Sequence, residues 1–343
     1  MVKINNRLEW LDSLKGLGII LVVWGHLNVP LGVETMIYSF HMPMFFFISG
    51  YLFNSRRTSI GSLAKRKAAT LLIPYVFFAT ISLPFGLLLD FRSGDFDISR
   101  SIMNFFYLNG SVGWNSPIWF LIVLFIIEIA YFRIYNSRLS TSLIIVTIFL
   151  VGFFFAFSGF EYPLGMHIVS YGVVFYAVGN LVKNTSLLEK IGEKSKIYTM
   201  CSLFVLGLLN VLFGIVLNTR VSVYHNVVGN YIYFYLSALA GILFMFILFS
   251  KLPALKILQF LGSNTLLILA THYFVLYGYS IVDEPIFGQR VMDQDSILVS
   301  LLLTVITILI FIPMSYVANR FFPTFVGKKR ILESSIKEKR NLA

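Results

Sequence analysis

Charged residues are scarce. Asp, Glu, Lys and Arg make up 13% of the 343 residues, about half the share found in ordinary soluble domains. Cysteine is almost missing. Cys201, the single one, lies in an apolar run, which excludes a disulfide framework and a cysteine-based metal site. No two of the five histidines have the i, i+4 spacing of a helical metal pair, and none has an acidic neighbour suited to one, so no metal site is expected. Internal repeats and low-complexity segments are also lacking. Apolar residues dominate instead, at 57% hydrophobic. A soluble chain of this length cannot hide that much apolar surface from water. The composition therefore excludes a soluble enzyme, a disordered chain and a nucleic-acid-binding domain. It predicts an all-α, polytopic integral membrane bundle surrounded by membrane lipids.

Ten apolar runs can be drawn, over roughly 11–29, 34–53, 69–89, 117–135, 141–158, 165–182, 197–217, 231–250, 264–282 and 296–318. Each is close to the roughly 20 residues that a transmembrane helix uses. The fifth and sixth are separated only by a short turn near Pro163, and the longest polar loop covers 90–116. The net charge of +11 follows from basic residues gathering in cytoplasmic segments. With the amino terminus inside, the inner segments hold 22 Lys and Arg and the outer loops hold four. The inner set includes Arg56, Arg57, Arg66, Lys67 and a basic tail over 319–343; the outer four are Arg92, Arg100, Arg220 and Arg290. This alternation predicts ten helices with both termini cytoplasmic.

Ionisable groups at membrane depth are costly and mark candidate sites. The first run holds Asp12, Lys15 and His26. Lys15 and His26 are eleven residues apart, which on a helix places them within about 20° on one face and about 16 Å apart along the axis. Asp12 is placed to pair with Lys15; an interfacial ion pair with a snorkelling lysine is the structural alternative. His41 and His167 are read as starting the outward ends of helices, His225 falls in an outer loop, and His272 lies about 12 Å into the ninth run. Glu128 is the main intramembrane acid, partnering either a histidine, a basic residue or another helix. In the second run, FHMPMFFFISGYLF, Pro43 reads as a first-turn proline. There Ser49-Gly50 permits close helix approach, and the aromatic density suits core packing or an apolar acyl slot.

Five segments carry a family resemblance: DSLKGLGIILVVWGH (12–26), FHMPMFFFISGYLF (40–53), KRKAATLLIPY (65–75), SPIWFLIVLFIIE (116–128) and LGSNTLLILATHYF (261–274). In this order they resemble the membrane acyltransferase 3 family, and within it the sugar O-acetyltransferases of bacterial surface polysaccharides. The family pattern of a basic residue, ten residues and a histidine is filled by Lys15 and His26. A second family pattern has two arginines three apart before a proline; here Lys67 and Thr70 occupy those places before Pro74, with Arg66 adjacent, and Thr70 departs from the pattern.

The resemblance implies a bacterial cytoplasmic membrane enzyme without a permanently bound cofactor. Acetyl-CoA, or another acyl-CoA, would be the co-substrate, and a carbohydrate hydroxyl the acceptor. His26 would be the general base, suited by its near-neutral titration, with an acyl-histidine intermediate as a variant. Lys15, with Asp12, would stabilise anionic charge or orient the donor. Arg66 and Lys67 would receive the CoA phosphates, and His41, Ser49, Trp119, Glu128 and His272 would line the substrate site. A multi-pass transporter or carrier for a glycan or small solute also fits buried histidines and acids, although the paired repeats of many transporters are missing. The topology is testable. Reporter fusions near residues 62, 188 and 343 should read cytoplasmic and those near 100 and 222 outside; an outside reading near 188 would break the helix count.

Overall fold

Hydrocarbon offers the backbone no hydrogen-bond partners, so a chain that crosses it must pair its amides within helices or a closed barrel. The computed structural model, which describes residues 8–55, 59–192, 194–287 and 295–328, takes the helical solution. The helices are α1 (Glu9–Gly25), α2 (Leu31–Tyr51), α3 (Ile60–Lys67), α4 (Ile73–Ser93), α5 (Ile98–Phe105), α6 (Trp119–Tyr135) and α7 (Thr141–Ser158). They continue with α8 (Met166–Asn184), α9 (Leu187–Gly192), α10 (Lys196–Val211), α11 (Tyr231–Lys251), α12 (Lys256–Gly262), α13 (Thr265–Phe287) and α14 (Ile297–Phe321). Among the described residues there is no strand, only an isolated bridge between Ser222 and Val227. Nine helical segments there are long and apolar enough to cross a membrane. The first expected span, α1, is a 17-residue helix.

Several expected details change. The first helix ends at Gly25 instead of 29, and His26 is its C-cap; Pro30 starts the next element and biases the residue before it away from helix. The third run is longer than expected, because α3 passes through a π turn, Ala68–Leu72, straight into α4. The loop over 90–116 contains α5, with Asp97 capping it by accepting from the Arg100 amide. Pro43 is not in a first turn: α2 begins at Leu31, which puts Pro43 and His41 in mid-helix. There proline cannot donate to the Ser39 carbonyl. Of the basic tail, Arg320 lies in the last turn of α14 and Lys328 is described, whereas 329–343 lie outside the described residues, as do Arg56, Arg57 and Arg290.

The centre of the bundle is α1, which packs against α2, α11, α12, α13 and α14. Two glycine contacts set this geometry. A Cβ on Gly16 would overlap the Leu258 carbonyl of α12, and one on Gly262 would overlap the Asp12 carbonyl of α1. The pair α2 and α8 repeats the device: Gly50 faces the Tyr176 backbone and Gly179 the Phe47 backbone. Small residues let helix backbones approach where lipid supplies no hydrophobic drive. At the periphery, α7 and α10 present Phe154, Phe157 and Phe204 outward, each more than 60% exposed. An apolar exterior of this kind needs lipid around it. The protein is a multi-pass membrane protein.

Gly16→Leu should destabilise the bundle by about 1–3 kcal/mol or more, the range for overpacking, seen as a lower midpoint of thermal unfolding in detergent. Gly61→Ala, where an added Cβ meets open space, should leave the midpoint equal or slightly higher.

Candidate functional site

Asp12 and Lys15 stand in the first two turns of α1, and His26 caps its other end. Lys15 Nζ lies 2.6 Å from Asp12 Oδ1, the pairing expected one turn apart. Lys15 and Ile19 line a chamber of about 250 Å³ together with Ser49, Lys67, Thr70 and Glu128. Glu128 is 4% exposed, and Lys67 Nζ approaches its two oxygens at 2.7 and 2.6 Å. A carboxylate at this depth requires such a partner, because the cost of desolvating it otherwise goes unmatched. Lys67 is the last residue before the π turn, a rare deviation that often accompanies functional sites.

Toward the other end of α1 a second chamber, of about 170 Å³, is lined by His26, Tyr38, His41, Trp119, Arg220 and Tyr273, among others. Tyr273 Oη is 3.3 Å from His26 Nδ1, and Ser116 Oγ is 3.1 Å from Tyr273 Oη. A neutral imidazole has one donor and one acceptor nitrogen. If His26 Nδ1–H donates to Tyr273, Nε2 is left as a base; the reverse tautomer places the proton on Nε2. Which nitrogen is basic therefore follows the direction of the hydrogen bond with Tyr273. The His272 ring packs 5.1 Å from the His26 ring. His272 Nδ1–H donates to the Ile268 and Leu269 carbonyls at 3.0 and 2.9 Å, and its buried Nε2 has no hydrogen-bond partner among the described residues. His41 Nδ1–H donates to the Ile37 carbonyl at 2.7 Å.

The segment between α10 and α11 forms a wall of the second chamber. Arg220 Nε lies 2.6 Å from Glu34 Oε1, and its guanidinium sits 4.3 Å from the centroid of the Tyr38 ring, a cation–π contact. Tyr38 in turn donates to the Gly25 carbonyl at 3.1 Å, next to His26. Asn226 anchors the segment: its amide donates to the Phe155 and Phe160 carbonyls, both at 2.8 Å, and accepts from Tyr171 Oη at 2.6 Å. His167 accepts from the Tyr162 amide at 3.1 Å and donates to the Tyr224 carbonyl at 3.3 Å. Both its nitrogens are thus spent on structure. The Tyr224 ring stacks on Trp119 at 6.0 Å and 19°. His225 is exposed at the mouth, 2.8 Å from Glu161 Oε1.

A family model described as an acyltransferase domain, acyltransferase 3, matches residues 8–316. The chain belongs to the acyltransferase 3 family. It is also 40% identical over 90 residues to the nodulation protein NolL of Sinorhizobium fredii (strain NBRC 101917 / NGR234). That match covers 22% of this chain and 25% of NolL, so the chain spans about a quarter of that relative's length.

Within this member of the acyltransferase 3 family the candidate residues fall into two groups. His26, His41 and Trp119 line the histidine chamber; Lys15, Ser49, Lys67 and Glu128 line the lysine chamber. Ser49 and Glu128 thus line a different chamber from His26 and His41. His272 packs behind His26 without lining the chamber, and Arg66 is exposed outside the lysine chamber. His41 contributes from mid-helix instead of a helix start. No group of three or more His, Cys, Asp or Glu able to hold a metal occurs among the described residues. The sequence does not single out Tyr38, Ser116 or Tyr273, and it marks Arg220 only as a loop charge. Tyr273 follows His272 in sequence, and the 100° step between neighbours turns it to the chamber while His272 packs behind.

The Lys67–Glu128 pair gives a quantitative expectation. Lys67→Gln should lower stability by about 1.5–3 kcal/mol, the worth of a charge-assisted hydrogen bond to a buried group. Adding Glu128→Gln should recover part of that loss in a double-mutant cycle read by thermal unfolding in detergent. Simple additivity would show that the pair does not interact.

Proposed function

We propose that this chain is an O-acyltransferase of the bacterial cytoplasmic membrane that moves an acetyl group from acetyl-CoA to a sugar hydroxyl. The observation that carries the reading is the placement of Lys15 and His26 on one helix, each opening on its own chamber. The donor enters at the lysine end. The distribution of Lys and Arg supports a cytosolic position for that end, where CoA is found, and Lys15 and Lys67 offer cationic groups to its phosphates. The acceptor occupies the histidine chamber. Its Trp119–Tyr224 aromatic faces and its polar Arg220, Ser222 and His225 suit a carbohydrate, which has apolar ring faces and a rim of hydroxyls. Its identity as a surface or lipid-linked glycan is part of the proposal.

The chemistry follows from the His26 environment. His26 Nε2 takes the acceptor hydroxyl proton as the oxygen attacks the thioester carbonyl carbon. The new C–O ester bond forms, the C–S bond breaks, and CoA leaves as a thiolate that takes the proton back from the imidazolium. The contact with Tyr273 and, through it, Ser116 holds the required tautomer by accepting from Nδ1–H.

The test supplies radiolabelled acetyl-CoA to membranes of a deletion strain carrying the gene, with label read in the polysaccharide fraction. His26→Ala should lower kcat by about 10²–10⁴ while the protein keeps its elution volume in detergent. Near-normal turnover by the folded variant would remove His26 from the chemistry. A carrier without transferase activity would leave the glycan unlabelled.

A further inference from the structure

The two chambers abut. Along α1 the lining passes from Lys15 and Ile19 in the lysine chamber to Val22 and His26 in the histidine chamber. Steps of four, three and four residues keep this lining on one helix face. Among the described residues, only Met42 of α2 and Leu269 of α13 line both chambers. Both are nearly buried, at 9% and 7% exposed. As the side chains common to both linings, they stand where the two chambers meet.

We infer that Met42 and Leu269 form the partition through which the acyl group reaches His26, and that their bulk sets the length of acyl chain accepted. This inference rests on the acyl-CoA reading above. The thioester carbonyl must stand at His26 while the CoA phosphates remain with the lysines, so the acyl end leads through the partition. An acetyl group adds one methyl beyond the carbonyl, whereas propionyl and butyryl groups carry further methylenes past the partition into the histidine chamber, which Met42 and Leu269 also line. Met42 has three rotatable bonds and adapts its shape, which makes it the side chain that swings aside, with Leu269 the stiffer wall. The closed partition also keeps water on the acceptor side away from a waiting thioester.

The experiment compares the full-length protein with Met42→Ala, Met42→Val and Leu269→Val in membranes of the complemented deletion strain. Acetyl-, propionyl- and butyryl-CoA are supplied in turn, with label read in the polysaccharide fraction and CoA thiol release measured alongside. One methylene in an apolar pocket is worth about 10–200-fold in discrimination. The butyryl-to-acetyl rate ratio should therefore rise about tenfold or more in Met42→Ala and less in the valine variants. Thiol release uncoupled from glycan labelling should rise with it, as water reaches the thioester. The ratio does not depend on how much protein folds, and the valine variants cover failure of the alanine one. Acetyl transfer with an unchanged ratio would overturn the partition and leave the acyltransferase reading intact. Loss of all transfer in every folded, opened variant would overturn it as well. If the unaltered protein transfers no acyl group from any of the three donors, the reading beneath the inference fails and takes the inference with it.

Discussion

Backbone-to-backbone contact between α1 and α12 is the constraint on which the site depends. Gly16 and Gly262 leave no room for a side chain at the crossing, so α1 lies against α12 at a distance that larger residues would forbid. Held there, α1 is surrounded by α2, α11, α13 and α14, and the residues on its free face open inward. In lipid, where apolar surfaces gain little by meeting each other, such close fitting is the main source of helix affinity. The same contact that stabilises the bundle therefore aims Lys15 and His26 at their chambers.

Charge is distributed by a consistent rule. Each deeply placed acid has a cation beside it: Asp12 has Lys15 and Glu128 has Lys67. Glu34 holds Arg220 at the opposite end. The histidines divide differently. His41 and His272 use Nδ1 to tie back to carbonyls of their own helices, and His167 spends both nitrogens bridging loops. His26 has passed the end of its helix and binds another side chain, Tyr273. A histidine whose nitrogens face a hydroxyl and a chamber is free to exchange a proton; one tied to carbonyls has its tautomer set by the backbone.

The bundle's periphery is built differently from its centre. α7 and α10 turn phenylalanines outward and bury few polar groups, while the loop between α10 and α11 is fastened by asparagines and tyrosines. A loop fastened in this way supplies a rigid wall to the histidine chamber. Arg220 is held by Glu34 and the Tyr38 ring together, which fixes its direction as well as its charge.

Much of this was legible in the amino-acid sequence. Scarce charge and ten apolar runs determine a helical membrane bundle, because hydrocarbon leaves the backbone few other solutions. The spacing of Asp12, Lys15 and His26 determines that they share α1, because helix geometry is local. The end of α1 at Gly25, the mid-helix place of His41 and the continuous run from α3 into α4 were not legible, since helix limits answer to packing as well as propensity. The pairing of Lys67 with Glu128, 61 positions apart, and of His26 with Tyr273, 247 apart, depends on which helices become neighbours. So does the division of the candidate residues between two chambers. Neighbourhood among apolar helices is decided by the fit of small and large side chains across many contacts at once, and only the tertiary structure carries that information.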